Sequence, residues 1–248
     1  MLGRTHMALG VLTSLLVSTF MSNSYFNGKI DSKTMIIILL GSILPDLDMG
    51  ASKISSKFGI LKARHIRKIW LSILTILAIL TVIYFKDTDI FYALLFILLL
   101  GALFSNDFAQ KGYYMLRNFI QAMVGMGFII AAYYYKQLPL AGVGIILILL
   151  LLSKHRGLSH SLFFVIITYI VAKSISNFYG YRDYSIFFTI SVLSHIIGDM
   201  FTKMGVELLY PFSQKRIKFP YTIKTGGKLE NLIFFVACLM AFRLNQGL

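Results

Sequence analysis

The sequence predicts an all-α, polytopic integral membrane bundle with about eight to nine apolar segments. Hydrophobic residues make up 57% of the 248 residues and charged residues only 14%, and the mean hydropathy is +0.76. A soluble domain averages about 45–50% apolar and about 25% charged residues. The apolar residues form runs that are separated by polar and basic loops, as in a chain that crosses a bilayer. The same composition excludes disordered, collagen-like and coiled-coil chains.

Nine apolar segments follow one another along the chain. A straight span needs about 20 residues, so the shorter segments are expected to be interfacial, re-entrant or buried in protein. The second segment ends at Pro45, which disfavours continued helix. Glycine pairs at 125 and 127 and at 142 and 144 predict close contacts between helices. The segments cover about 6–21, 34–45, 70–85, 90–104, 118–135, 139–152, 160–172, 184–200 and 229–242.

The basic residues predict the orientation of the chain. If the loop 49–69 faces the cytoplasm, alternation through nine spans places 1–5, 105–117, 153–159 and 201–228 on the same side. These loops hold 17 of the 24 Lys and Arg residues, a bias that agrees with the positive-inside rule. Topology and contact with anionic lipid therefore explain the net charge of +14, and no nucleic-acid partner is expected. The lone Cys238 excludes a disulfide framework and a thiolate zinc site.

Four of the five histidines lie at one depth, at the predicted cytoplasmic ends of apolar segments, and the fifth, His65, is expected to be an ordinary residue of the basic loop. His195 and Asp199 are four residues apart, which places them on one helical face, one turn apart. Imidazole and carboxylate together suit Zn²⁺, Mn²⁺ or Fe²⁺. A hydrogen-bonded pair without metal is the alternative for this motif alone, although ionisable groups near a membrane core are usually functional.

A second motif, His155-Arg156-Gly157-Leu158-Ser159-His160-Ser161, precedes the seventh segment. Its two histidines are five residues apart and would not share one face of a continuous helix. We expect His155 in a loop and His160 in the first helical turn, with Ser159 as the N-cap. Arg156 offers a forked donor that suits phosphate. A basic loop that only anchors to lipid is the alternative.

A third motif, Leu44-Pro45-Asp46-Leu47-Asp48, closes the second segment. Pro45 predicts an extended stretch in which alternate side chains point the same way, so Asp46 and Asp48 would face one site; a solvated helix end is the alternative. His6 begins the first segment on the same side of the membrane. Together the candidate metal ligands are four imidazoles and three carboxylates, enough for two or three ions: His6, Asp46, Asp48, His155, His160, His195 and Asp199.

These motifs form an ordered series along most of the chain: Arg4-Thr5-His6, Gly41 to Asp48, His155 to Ser161, His195 to Asp199, Thr202, Gly205 and Pro211-Phe212-Ser213. As a set they resemble the YdjM-type family of LexA-regulated, inner-membrane-associated, metal-dependent hydrolases. That family is distantly similar to zinc-dependent phospholipases C. The resemblance implies a multi-pass inner (cytoplasmic) membrane protein that hydrolyses a phosphoester. The expected substrate is a phospholipid or another phosphoester, and the expected ion is zinc, with manganese or iron as alternatives.

One departure from the family concerns spacing, because about a hundred residues separate the Pro-Asp block from the His-Arg-Gly motif. The segments at about 70–152 are therefore interpreted as inserted or scaffold helices within a single membrane-embedded domain, residues 1–248.

The predicted chemistry is attack by a metal-activated water at the cytoplasmic face. The predicted catalytic residues are Asp46 or Asp48, which would orient or deprotonate the water, and Arg156, which would hold the phosphate. Glu207 is expected to support a ligating histidine. Three cations of the 201–228 loop are expected to assist Arg156: Lys215, Arg216 and Lys218.

Two other functions stay open at this point. A catalytically inactive membrane adaptor would keep a structural metal, with every coordination position filled by protein. An ion- or proton-coupled transporter would use the same polar residues as an ion site, but such sites usually lie near the midplane of the bilayer, whereas these residues collect at one face.

Overall fold

The computed structural model describes residues 1–20, 30–48, 61–154, 156–180 and 182–246. In these residues the chain forms nine α-helices and two 3-10 turns, with no β-strand, which confirms the predicted all-α class. The 3-10 turns are Pro45–Asp48 and Leu158–His160. The helices are α1 (Gly3–Phe20), α2 (Ser32–Ile43), α3 (Ala63–Phe85), α4 (Phe91–Leu103), α5 (Ser105–Tyr135), α6 (Leu138–Leu152), α7 (Leu162–Tyr179), α8 (Ser185–Met200) and α9 (Lys228–Gln246).

Four helices of the described residues, α3, α5, α7 and α9, are long and apolar enough to cross a membrane. Helices α2, α4, α6 and α8 are apolar but have only 12 to 16 residues. At about 1.5 Å per residue, α2 is about 18 Å long, which is shorter than the hydrocarbon core of about 30 Å. The prediction that some apolar segments are too short for a straight span is therefore confirmed.

The chain divides into two compact units, one formed by Met1–Ser52 with Val124–Leu248 and the other by Lys53–Met123. In the second unit α3 packs against α4. The indole Nε1 of Trp70 donates to the Gly101 carbonyl at 3.0 Å, and its ring stacks on Phe108. The interpretation of residues 1–248 as a single domain stays a prediction.

Helix α8 is the centre of the first unit, where it packs against α1, α2 and α7. Small residues allow these close approaches: a Cβ on Gly41 of α2 would lie 2.7 Å from the backbone oxygen of Phe188 on α8. On its other side α8 contributes Val192 and Ile196 to the apolar core. The buried side chains of that core are Ile146, Leu150, Phe164, Val165, Val192, Ile196 and Val206.

The predicted glycine contacts are confirmed for some positions and wrong for one. A Cβ on Gly125 would lie 3.1 Å from the Gly144 carbonyl oxygen, so α5 and α6 touch at these two glycines. Gly142 approaches Val171 of α7. A Cβ on Gly127 would meet nothing within 4 Å, because this glycine lies on the exposed face of α5.

The chain between α8 and α9 returns over the end of α8 without forming a helix. Val206 and Ile217 exchange two backbone hydrogen bonds, and Ile223 N–H donates to the Phe201 carbonyl. The Glu207 N–H donates to the carbonyl of Arg156 at 3.0 Å. These bonds hold the basic 201–227 loop beside the second 3-10 turn.

Candidate metal centre

Four side chains of the first unit converge at the ends of three elements. Helix α8 supplies His195 and Asp199 from one face, as their spacing predicts. The 3-10 turn after α2 supplies Asp46, and the 3-10 turn before α7 supplies His160. Each residue offers one ligand atom, and these atoms all lie within 4.8 Å of one another.

The imidazole of His195 is held in one tautomer. Its Nδ1 lies 2.6 Å from the backbone oxygen of Ser42, and because a carbonyl only accepts, Nδ1 carries the proton. The opposite nitrogen, Nε2, therefore offers a lone pair to the cluster, as in metal-binding histidines whose other ring nitrogen donates to a carbonyl or carboxylate. The side chain is fully buried.

His160 is oriented in the same way by a chain of two polar groups. The Ser159 hydroxyl donates its proton to Asp48 Oδ2, so its oxygen accepts from His160 Nδ1, 2.9 Å away. The His160 Nε2 lone pair then points toward His195 Nε2 at 3.2 Å. Two lone pairs at this distance repel each other unless a cation or a proton lies between them.

His6 of α1 lies beside this pair. Its ring stacks on His195 with a centroid distance of 3.6 Å, and its Nε2 is 3.3 Å from Asp199 Oδ1. The ring is fully buried, yet neither of its nitrogens makes a hydrogen bond of good geometry. Leaving a buried polar group unsatisfied costs about 1–3 kcal/mol. The His6 ring would therefore be stabilised by a further hydrogen bond or by a metal ion. A Cβ on Gly198 would lie only 3.2 Å from His6 Nδ1, so glycine makes room for the ring.

Asp199 is the carboxylate that the surrounding groups share. Its Oδ2 lies 3.3 Å from His160 Nε2 and 3.3 Å from a terminal nitrogen of Arg156. Its Oδ1 faces His6 and the amino nitrogen of Met1. The side chain is 2% exposed, and a buried carboxylate with this many cationic or donor neighbours is expected to stay ionised.

Arg156 ties the cluster to the loop that follows α8. Nη1 donates to Thr202 Oγ1 at 2.6 Å and to the Gly205 carbonyl at 3.3 Å. The backbone N–H donates to Asp48 Oδ2, and the backbone carbonyl accepts from Glu207 N–H. Both terminal nitrogens of the guanidinium thus contact protein groups, while the buried Nε makes no hydrogen bond.

Asp46 forms the accessible side of the cluster. Its side chain is 19% exposed, and Oδ1 lies 3.7 Å from His195 Nε2. Burial raises the pKa of Asp46, and the neighbouring imidazoles of His6 and His160 oppose that shift only in part. A carboxylate in this position gains from a neighbouring cation.

The donor set fits a divalent metal ion. Ligand atoms that share one tetrahedral zinc at about 2.0–2.1 Å stand about 3.4 Å apart, and three of the distances between cluster atoms are 3.2, 3.3 and 3.7 Å. Two imidazoles with two carboxylates suit zinc, manganese or iron. The prediction that these residues could hold a metal ion is confirmed for this group of four, while the number and identity of the ions stay predictions.

Two local expectations about the motifs are wrong. Asp46 and Asp48 lie in a 3-10 turn rather than an extended stretch, so their side chains point to different partners, Asp46 to His195 and Asp48 to Ser159 and the far side of His160. Ser159 does not cap α7. The cap is Ser161, whose hydroxyl accepts from Phe164 N–H at 3.2 Å.

The other sequence-predicted residues are placed as follows. His155 lies outside the described residues, and His65 is exposed on α3. Glu207 pairs with Arg216, with 3.7 Å between Oε1 and Nε, rather than supporting a described histidine. Lys215 and Lys218 are exposed on the same loop.

Sequence reasoning missed the groups that orient the ligands. The Ser42 carbonyl and the Ser159 hydroxyl set the tautomers of His195 and His160, and Gly198 admits His6. Each adjoins or lies within a motif that was recognised. Ser42 acts through its backbone carbonyl, which any residue at this position would offer, so no residue type in the sequence signals this role.

Fold and cluster together define a helical membrane protein with a buried histidine and aspartate group that suits a metal ion. The chain matches the YdjM inner membrane protein family over residues 1–248 and belongs to that family. Membership and the four long apolar helices place it in the membrane. The likeness to zinc-dependent phospholipases C stays a prediction.

One curated relative is the "Uncharacterized protein YvsG" of Bacillus subtilis (strain 168), 34% identical over 97 residues. The match covers 38% of this chain and 58% of that relative, so the chain spans little more than half of the relative's length. No solved structure matches the chain at a significant level.

Proposed function

We propose that this protein is a membrane-bound metal-dependent hydrolase, a phosphoesterase that acts on a lipid or other membrane-associated phosphoester at the cytoplasmic face. The observation that carries the proposal is the one-sided opening of the cluster. The side chain of Asp46 is 19% exposed, whereas those of His160, His195 and Asp199 are at most 2% exposed. Catalytic metal sites combine about three protein ligands with a position for water or substrate.

The cluster residues would hold the ion, most favourably zinc, with manganese or iron as alternatives. His6 is a further candidate ligand, because its Nε2 lies 3.3 Å from Asp199 Oδ1. When bound, a divalent metal supplies Lewis-acid polarisation of a phosphoryl oxygen and acidifies water. The proposal includes a second or third ion, since the sequence offers seven candidate ligands.

Asp46 would act on the attacking water. Its carboxylate is accessible, and it can accept the water proton while the water oxygen bonds to phosphorus. It can then return that proton to the oxygen that leaves as an alcohol when the P–O ester bond breaks. Asp48 is less suited to this step because its Oδ2 already accepts from Ser159 and from the Arg156 N–H. Asp48 instead holds His160 in its ligating tautomer.

The phosphate would meet a positive surface. Lys215, Arg216 and Lys218 are exposed on the loop that is bonded to Arg156 through Glu207. Such a patch raises the local concentration of anions. Phosphate binding by Arg156 itself would require its present contacts to open, since both terminal nitrogens contact Thr202, Gly205 and Asp199 and Nε is buried.

The first experiment measures metal content and turnover on the same detergent-purified samples, with bis-p-nitrophenyl phosphate and phosphatidylglycerol micelles as substrates. Wild type loaded with zinc, manganese or iron should hold at least one ion per chain. His160→Ala and His195→Ala should lose the ion, and their turnover should fall at least a hundredfold. His65→Ala, an exposed histidine outside the cluster, is the matched control and should behave as wild type.

Asp46→Asn separates the ligand role from the base role. We expect this variant to keep metal through the three buried ligands and to lose most turnover, with a flattened acid limb in its pH profile. Wild type that stays metal-free after reconstitution with each ion would contradict the proposal. Stoichiometric metal without hydrolysis of either substrate would favour the adaptor with a structural metal.

A transporter is the second candidate, because α2, at about 18 Å, ends at the cluster without being long enough to span the hydrocarbon. Proteoliposomes loaded with a zinc-sensitive dye test it directly. Zinc flux that His195→Ala abolishes would favour transport over hydrolysis.

A protease site inserted between Gln214 and Lys215 tests the orientation of the protein in the membrane. Cleavage only in inverted vesicles would place this loop in the cytoplasm.

A further inference from the structure

A cavity of about 760 Å³ lies in the first unit among α2, α6, α7 and α8, and none of the metal-ligating residues lines it. Its volume falls within the range of about 300–1,000 Å³ that is usual for small-molecule sites. Most of its wall is apolar. Side chains that define this wall are Leu40, Leu44, Val143, Leu147, Val171 and Phe188.

One end of the cavity is cationic. Lys33, in the first turn of α2, and Arg182, just before α8, both line it, and Tyr184 lies beside them. The hydroxyl-bearing residues Ser176 and Ser185 line the same region and are buried, and the Ser185 hydroxyl already donates to Asp183. Cations with hydroxyl groups at one end of an apolar cavity are the chemistry that receives an acidic head on a hydrocarbon chain.

The carboxylates near this end are already engaged. Asp31 accepts from the Thr34 N–H and hydroxyl at the start of α2. These bonds, with the charges of Arg182 and Lys33, hold the pKa of Asp31 below its ordinary value. Asp183 pairs with Lys173. Counted together, Lys33, Arg182 and Lys173 stand against Asp31 and Asp183, so the groups around this end of the cavity carry a net positive charge.

The cationic end and the metal-ligating residues lie at opposite ends of the same helices. Both α2 and α8 run from the cationic end of the cavity toward the cluster. Along α8, the ten residues from Ser185 to His195 correspond to a rise of about 15 Å. At the far end of the cavity, Leu44 immediately precedes the turn that carries Asp46. An occupant with its head at Lys33 would thus extend its chain toward the cluster without entering it.

We propose that this cavity binds one anionic amphiphile, with its acidic head at Lys33 and Arg182 and its acyl chain along the apolar wall. The head is a phosphate of a membrane lipid or the carboxylate of a fatty acid. This site is separate from the metal centre and does not rest on the proposed hydrolase activity.

Native mass spectrometry of the detergent-purified full chain tests the proposal. Three probes are added at equal concentration: phosphatidylglycerol, phosphatidylcholine with the same acyl chains, and oleate. Wild type should retain one phosphatidylglycerol or one oleate per chain, at least tenfold more than phosphatidylcholine. Whichever of the two anionic probes is retained identifies the head group.

Three variants locate the bound molecule. Lys33→Ala with Arg182→Ala should reduce retention at least fivefold, and Val143→Trp, which fills the cavity, should abolish it. Lys136→Ala removes an exposed cation that does not line the cavity and should change nothing. Metal content and melting temperature, measured on every sample, verify the fold independently of lipid binding.

Retention of phosphatidylcholine equal to that of the better-retained anionic probe, or retention of none of the three probes, would overturn the proposal. So would retention that survives in a folded Val143→Trp protein, or an equal loss in Lys136→Ala, which would show a general surface effect. Should Val143→Trp fail to fold, the double cation variant decides alone.

Discussion

Replacing Gly41 by alanine should separate α2 from α8 and disturb the metal centre. A Cβ at this position would lie 2.7 Å from the backbone oxygen of Phe188 and would also collide with the Ser191 hydroxyl. A backbone oxygen cannot rotate away, and ordinary contacts begin at 3.4 Å, so α2 must move by about 0.7 Å. Overpacking of this kind costs about 1–3 kcal/mol.

The displacement reaches the cluster through the next residue. The Ser42 carbonyl accepts from His195 Nδ1 at 2.6 Å, and a shift of about 0.7 Å would lengthen this bond to about 3.3 Å, beyond the usual range of about 2.7–3.2 Å. Losing a group that orients a metal-ligating histidine typically costs 10–100-fold in metal affinity. We therefore expect Gly41→Ala to bind zinc at least about tenfold more weakly and to melt at a lower temperature.

Zinc affinity is measured by competition with a chromophoric chelator, and melting temperature on the same detergent samples. Gly127→Ala is the matched control, because its Cβ would meet nothing within 4 Å and alanine at an exposed helical position stabilises by about 0.5–1 kcal/mol. If Gly41→Ala melts lower but binds zinc as wild type does, the Ser42 carbonyl does not orient His195. An unchanged melting temperature would refute the close packing itself.

Three further changes test other parts of the structure. Ser159→Ala removes the link between His160 and its carboxylate and should weaken zinc binding about 10–100-fold, as measured by chelator competition; wild-type affinity would contradict this orienting role. Asp31→Ala removes the N-cap of α2 and should cost about 1 kcal/mol at pH 7. Because the pKa of Asp31 is lowered in the folded protein, its stabilisation is full above about pH 4 and is lost as pH falls through the lowered pKa, so the difference in melting temperature between variant and wild type should shrink as the pH falls below about 4. A constant difference would argue against a charge effect. Leu150→Ala empties part of the buried core and should cost about 2–5 kcal/mol in thermal unfolding, whereas Leu152→Ala, 75% exposed, should change stability by at most about 0.5 kcal/mol.

Helix positions were predictable because hydrophobicity and helix propensity act over neighbouring residues. The predicted segment 184–200 corresponds to α8, Ser185–Met200, and 139–152 corresponds to α6, Leu138–Leu152. The placement of His195 and Asp199 on one face followed from the helical repeat alone. Boundaries were less accurate where polar residues continue a helix, as in α5, which begins at Ser105 rather than near 118.

The turn after α2 shows where local reasoning fails. Pro45 correctly marked the end of the helix, but the following residues close a 3-10 turn that packs beside the second 3-10 turn. That packing turns Asp46 toward His195 and Asp48 toward Ser159. Contacts between residues more than a hundred positions apart decide these directions, and no local pattern carries them.

The sequence by itself determined the membrane class, the order of the helices and the residue types able to bind metal, because composition and periodicity are local properties. Only the tertiary structure decided which candidates share a centre. It brought Asp46 and His160 to the end of α8 and left His65 exposed. It also placed Asp48 where it orients His160 through the Ser159 hydroxyl. The physical reason is that ligand geometry depends on the crossing of α2, α7 and α8, which close side-chain packing sets.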